Sequence, residues 1–135
     1  GKAFPQSFFA HILDTASAVV KLKGSIEVSV NLVTPAKMKS LNKQYRGVDK
    51  ATDVLSFPLQ EAGLKKYDIL PLGDIFICPS YVKQFASREG FVLSERMKHL
   101  TVHGFLHLLG YEHETSSADA QKMERMENKI LITEH

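Results

Sequence analysis

Apolar residues recur at helical spacing from about Pro5 to Lys21, where Phe9, Ile12, Leu13, Ala16, Val19 and Val20 share one broad face. Gly24 ends that pattern, and residues 25 to 34, "SIEVSVNLVT", then alternate, with Ile26, Val28, Val30 and Leu32 facing one way. Such alternation predicts a half-buried strand. A second helix is expected from Pro35 to about Arg46, with Thr34 as its N-cap and proline at its first position. Met38, Leu41 and Tyr45 form its apolar stripe, while Lys39, Lys43 and Arg46 lie along another face. Two further strands read as "TDVLSFPL" (52 to 59) and "LGDIFICP" (72 to 79). The polar connection between them, "QEAGLKKYDILP", is long enough to be a working loop.

Three helical segments follow. The first covers residues 80 to 89 and stops at Gly90. Ser94 is the expected N-cap of the next, which carries Met97, Leu100, Phe105, Leu106, Leu108 and Leu109 and stops at Gly110. Apolar residues surround it on most sides, so it belongs at the centre of the fold. The last runs from about Ser117 to Leu131, with Met123, Met126 and Ile130 inward. The order α-β-α-β-β-α-α-α predicts an α+β fold, α/β layered, with a small mixed sheet packed with helices. The pattern does not fix the order of the strands.

With 135 residues, the chain reads as one domain, residues 1–135, long enough to bury its own core. An apolar fraction of 44% and a charged fraction of 24% exclude a disordered or fibrous chain. Cys78 is the only cysteine, so neither an internal disulfide nor a cysteine-rich metal site can form. No apolar run reaches membrane-spanning length, and Pro5, Gln6, His11 and Asp14 interrupt any leader-like segment. A cytoplasmic protein without a membrane partner is expected. A net charge of +2 gives no global positive field, so a polyanion would have to meet a local patch.

The chemistry concentrates in "HGFLHLLGYEH", residues 103 to 113, with the spacing H-x-x-x-H-x-x-G-x-x-H. On a helix, His103 and His107 are about 40° and about 6 Å apart, so both imidazoles can meet one ion. Gly110 lets the chain leave the helix, and His113 then arrives as a third ligand. Three histidines leave one coordination position open, as catalytic sites require. Imidazole suits Zn2+, and also nickel, copper and iron. His99 lies roughly 12 Å from His107 along the same helix, too far to share that ion. It reads as a surface histidine or as a support for a ligand.

Zinc peptidases with this spacing place glutamate directly after the first histidine, as general base. This chain has Gly104 there. Glu112 and Glu114 flank His113 and read either as solvated loop acids, as partners of an imidazole, or as bases. A phosphodiester substrate changes the requirement, because its transition state gathers negative charge and a cation serves it better than a second carboxylate. Arg46 offers a guanidinium fork that matches phosphate, although a cation at a helix C-terminus also serves the macrodipole. Lys39, Lys43 and Lys50 read either as a solvated face or as a nucleic-acid track.

"HGFLHLLGYEH", together with "LNKQYRGVDKATDVLSFP" and "LGDIFI", resembles the YbeY family of metal-dependent endoribonucleases. The matching motifs span Leu41 to His113 in order. The resemblance implies a zincin-like fold, with the metal on a central helix and the loop after it. It also implies cleavage of single-stranded RNA in maturation of ribosomal RNA, notably the 3′ end of the small-subunit RNA, and ribosome quality control. It places the metal ligands on His103, His107 and His113 and the functional arginine on Arg46. Ribosomal proteins and an assembly GTPase are its implied partners. One departure is Glu112, where the family usually has aspartate. Asp53, Ser56 and Asp74 lie inside the motifs but read as turn or strand-end hydrogen-bonders. Two rivals are a metallopeptidase, which Gly104 disfavours, and a non-catalytic ribosome-assembly factor, which the open metal position disfavours.

Overall fold

The computed structural model describes residues 4–59, 69–112 and 114–134. Its elements in chain order are α1 (Gln6–Val19), β1 (Ser25–Leu32), α2 (Pro35–Arg46), β2 (Val54–Pro58), β3 (Ile69–Ile77), α3 (Pro79–Glu89), α4 (Leu93–Leu108) and α5 (Ser117–Glu134). The predicted order of helices and strands is the observed one. The strands form a mixed sheet in the order β1-β3-β2, with β1 parallel and β2 antiparallel to β3. The fold is α+β.

Alternation along the strands sorts the two sheet faces. Val30, Leu72, Ile75 and Ile77 face the main core, which they share with Phe9, Ile12 and Ala16 of α1 and with Met97, Phe105 and Leu106 of α4. Leu55, with Phe57 and Phe76 beside it, points the other way, against Met38 and Leu41 of α2. The central placement expected for α4 is observed: Met97, Val102, Phe105 and Leu106 are fully buried. None of the described helices is long and apolar enough to cross a membrane.

Several boundaries differ from those read in the sequence. β3 starts at Ile69 rather than at 72, because parallel pairing with β1 continues through Ser25 and Ile69, past a register shift between Glu27 and Val28. Residues 60 to 68 of the predicted working loop lie outside the described residues. Ser94 does not cap α4. Its N-cap is Val92, without a side-chain cap, and the Arg96 N–H donates to the Val92 carbonyl. The helix thus begins two residues earlier, where Leu93 already packs against the core. The Thr34 cap of α2 forms as expected, its Oγ1 accepting from the Lys37 N–H at 3.2 Å.

Candidate metal centre

The site begins with the way α4 ends. Gly110, at φ 97°, donates its N–H to the His107 carbonyl, and the Tyr111 N–H donates to the Leu106 carbonyl. This bond pair is the glycine-dependent helix stop that the sequence predicts. It folds the chain back so that the Tyr111 carbonyl lies 2.9 Å from His107 Nδ1. A carbonyl only accepts, so His107 Nδ1 carries the proton and donates it. The Nε2 of a neutral His107 ring therefore carries a lone pair.

His103 is oriented in the same way from another element. Its Nδ1 lies 2.6 Å from Oε2 of Glu127 on α5. Burial pushes the Glu127 carboxyl up, but hydrogen bonds from His103 and His99 outweigh this and hold it down, at about 2. An ionised carboxylate only accepts, so His103 also donates from Nδ1 and presents its Nε2 lone pair. The two Nε2 atoms face each other 3.0 Å apart. Two lone pairs this close suit a shared cation. Donation of the other ring N–H to a carboxylate or a carbonyl is how metal-binding histidines are commonly held. This donor set fits a transition-metal ion.

His113 lies outside the described residues. Among the described residues, no three His, Cys, Asp or Glu side chains gather into a metal-sized group.

Arg46 reaches this centre from a distant part of the chain. It is the last residue of α2, which Gly47 ends in the left-handed region at φ 71°. Buried Asn42 secures the turn after it by donating to the Lys50 carbonyl at 2.9 Å. Arg46 lines a cleft of about 390 Å³ together with Ser56, His103, His107, Glu112 and Glu114. Lys43 and Lys50 do not line this cleft; Lys50 lines an adjoining groove that Arg46 also borders.

Gly104 has a structural explanation. A Cβ there would lie 3.0 Å from Ile75 Cγ2 and 3.2 Å from Ser56 Oγ. Position 104 faces the sheet, and the close approach of α4 to β2 and β3 occupies the space a side chain would need.

Two supporting residues were not singled out by sequence reasoning. Glu127 occupies a place on the apolar stripe of α5, between Met123 and Ile130, and is buried with them. A carboxylate on that stripe was the available signal. Arg96 is the other. Its Nη1 lies 3.2 Å from His99 Nδ1, its Nη2 lies 3.6 Å from Asp53 Oδ2, and its guanidinium sits 4.3 Å over the Phe85 ring. Arginine only donates, so His99 accepts at Nδ1 and turns its Nε2 toward Glu127 Oε1, 3.5 Å away. His99 and His103 thus share the Glu127 carboxylate. Asp53 pairs with Arg96, and Asp74 accepts from Ser29 Oγ, in keeping with hydrogen-bonding roles.

Residues 3–134 match the sequence model of a family described as Endoribonuclease YbeY. A protein of that name from Acinetobacter baumannii is 44% identical over 122 residues, covering 89% of this chain and 77% of the relative. Another from Sulfurihydrogenibium sp. is 40% identical over 130 residues, covering 96% and 84%. The solution structure of TM1509 from Thermotoga maritima superposes with a TM-score of 0.66 at 31% identity, covering 96% of this chain and 82% of that one. The sequence match extends well beyond the histidine motif, through both terminal helices, and on that breadth the chain belongs to the YbeY endoribonuclease family.

Proposed function

We propose that this chain cleaves single-stranded RNA with the help of a bound metal ion, in maturation of ribosomal RNA at the 3′ end of the small-subunit RNA and in ribosome quality control. Its family makes it an endoribonuclease, a hydrolase acting on RNA. The observation that carries the metal-dependent reading is the pair of Nε2 atoms, 3.0 Å apart, in one cleft with Arg46.

His103 and His107 would hold the ion, with His113 as third ligand by its place in the motif. Zn2+ is the first choice, and another transition metal is the alternative. When bound, the ion supplies Lewis acidity to a phosphate in the cleft. Arg46 then meets the negative charge that builds on the phosphoryl oxygens, through its paired N–H donors. Glu127 and the Tyr111 carbonyl keep both imidazoles in the tautomer that binding needs. Product termini identify the nucleophile: a cyclic phosphate indicates the RNA's own 2′-hydroxyl, and a plain monoester indicates water. The whole chain, residues 1–135, acts as one domain in the cytoplasm, with ribosomal proteins and an assembly GTPase as partners.

The metallopeptidase reading loses support because position 104 faces Ile75 and Ser56, where a catalytic carboxylate would have no room.

The test is cleavage of an unstructured RNA by metal-loaded protein, beside Arg46→Ala and His107→Ala prepared identically. We expect Arg46→Ala to lower kcat by roughly a hundredfold to a thousandfold. His107→Ala should abolish cleavage and stoichiometric metal uptake together. Equal cleavage by all three proteins would trace the activity to a contaminant and defeat the proposal.

A further inference from the structure

A second cavity adjoins the catalytic cleft. This groove, of about 560 Å³, lies between the end of α2 and α3, and Arg46, Thr52 and Asp53 line both spaces. A chain leaving the catalytic cleft past Arg46 therefore enters the groove directly. Its further lining includes Lys50, Tyr81, Phe85 and Arg88.

The charge of the groove suits a polyanion. Arg46, Lys50 and Arg88 border it, and among the described residues its one acidic lining residue, Asp53, lies 3.6 Å from Arg96. Asp49, next to Lys50 in sequence, pairs with the Lys39 amine at 3.9 Å. Arg88 contacts Glu89 at 3.1 Å, but both side chains are exposed, and such a pair holds its partners weakly.

Aromatic placement adds a second indication. Phe85 forms part of the groove wall, stacked against Phe91 at 5.7 Å and 7°, with the Arg96 and Arg88 guanidinium groups at 4.3 Å and 5.6 Å from its ring. Its surroundings are taken. Tyr81 stands one helical turn earlier on the same helix and is 37% exposed. Cations beside an accessible aromatic ring are what single-stranded nucleic acids use, phosphates on the cations and an unpaired base on the ring.

We propose that this groove is an RNA subsite, binding the strand on one side of the scissile phosphate, with a base stacked on Tyr81 and phosphates held by Lys50 and Arg88. The proposal rests on the nuclease reading for the identity of the strand. It also supplies a reason for single-strand preference, since a base on Tyr81 cannot be paired.

The experiment measures binding of a dye-labelled oligouridylate of about twelve nucleotides to the full chain. Metal is removed by chelation so that no cleavage intervenes. We expect Tyr81→Ala combined with Arg88→Ala to weaken binding by about tenfold or more. Tyr81→Phe should bind as wild type, because the ring and not the hydroxyl carries the contact. In the metal-loaded protein the double variant should raise KM for the oligomer and keep kcat. A dinucleotide, too short to reach the groove, should be cleaved as by wild type. Oligouridylate affinity within twofold of wild type, in a double variant with an unchanged circular dichroism spectrum, would overturn the subsite. Wild-type protein that binds the oligomer but cleaves no RNA would count against the nuclease reading alone.

Discussion

At the scale of single residues, the proposed metal ligands are set by atoms that would never touch the ion. His107 is fixed by a backbone carbonyl four residues on, and His103 by a carboxylate on another helix. Glu127 is the more exposed to mutation, because a side chain can be replaced and a carbonyl cannot. In Glu127→Gln the amide oxygen can still accept from Nδ1, but the negative charge that raises imidazole basicity is gone. We expect metal affinity to fall about tenfold to a hundredfold, read by competition with a chromogenic chelator, with the fold intact. Unchanged affinity would show that Glu127 only fills space. Glu127 was legible as an anomaly on an apolar stripe. Its partner was not, because helical periodicity says which face is buried and not which neighbour it meets.

At the scale of elements, helix ends decide where the chemistry sits. Gly90 and Gly110 were readable as stops because both turns need a positive φ, which glycine adopts at little cost. The start of α4 was misread, since Ser94 fits the preferred cap chemistry but Leu93 was already drawn into the core. The start of α5 shows how an end supports the site, because α5 delivers Glu127. Ser116 Oγ accepts from the Asp119 N–H at 3.0 Å, and Thr115 Oγ1 donates to the Asp119 carboxylate at 2.7 Å. Hydrogen bonds from Thr115 and Ser116 hold the Asp119 carboxyl below its ordinary 3.8. A carboxyl lowered by folding stabilises fully above its unfolded value and loses that contribution as pH falls through its folded one. Asp119→Ala should therefore speed amide exchange in the first turn of α5 near neutral pH. Wild type and variant should converge as pH falls below 3.8. A difference that persists at the lowest pH would assign the effect to something other than this ionisation.

At the scale of the whole molecule, the sheet and α4 are packed so closely that position 104 has no space for a methyl group without adjustment. Ile75, the nearest neighbour there, is fully buried. Gly104→Ala should cost about 1–3 kcal/mol by overpacking, measured as a lower denaturant midpoint at unchanged slope. An unchanged midpoint would mean that Ile75 turns aside freely. The same contact explains why a peptidase's glutamate is missing: the residue after His103 is committed to the sheet. By itself the sequence determined the order of elements, both glycine stops, the central place of α4 and the histidine spacing. All of these follow from local periodicity and from backbone conformations that few residues adopt. Tertiary structure alone decided the strand order β1-β3-β2, the meeting of Glu127 with His103, and the arrival of Arg46 in the histidine cleft. Those contacts join residues far apart in the chain, and their pairing is set by how the layers pack, which no local pattern encodes.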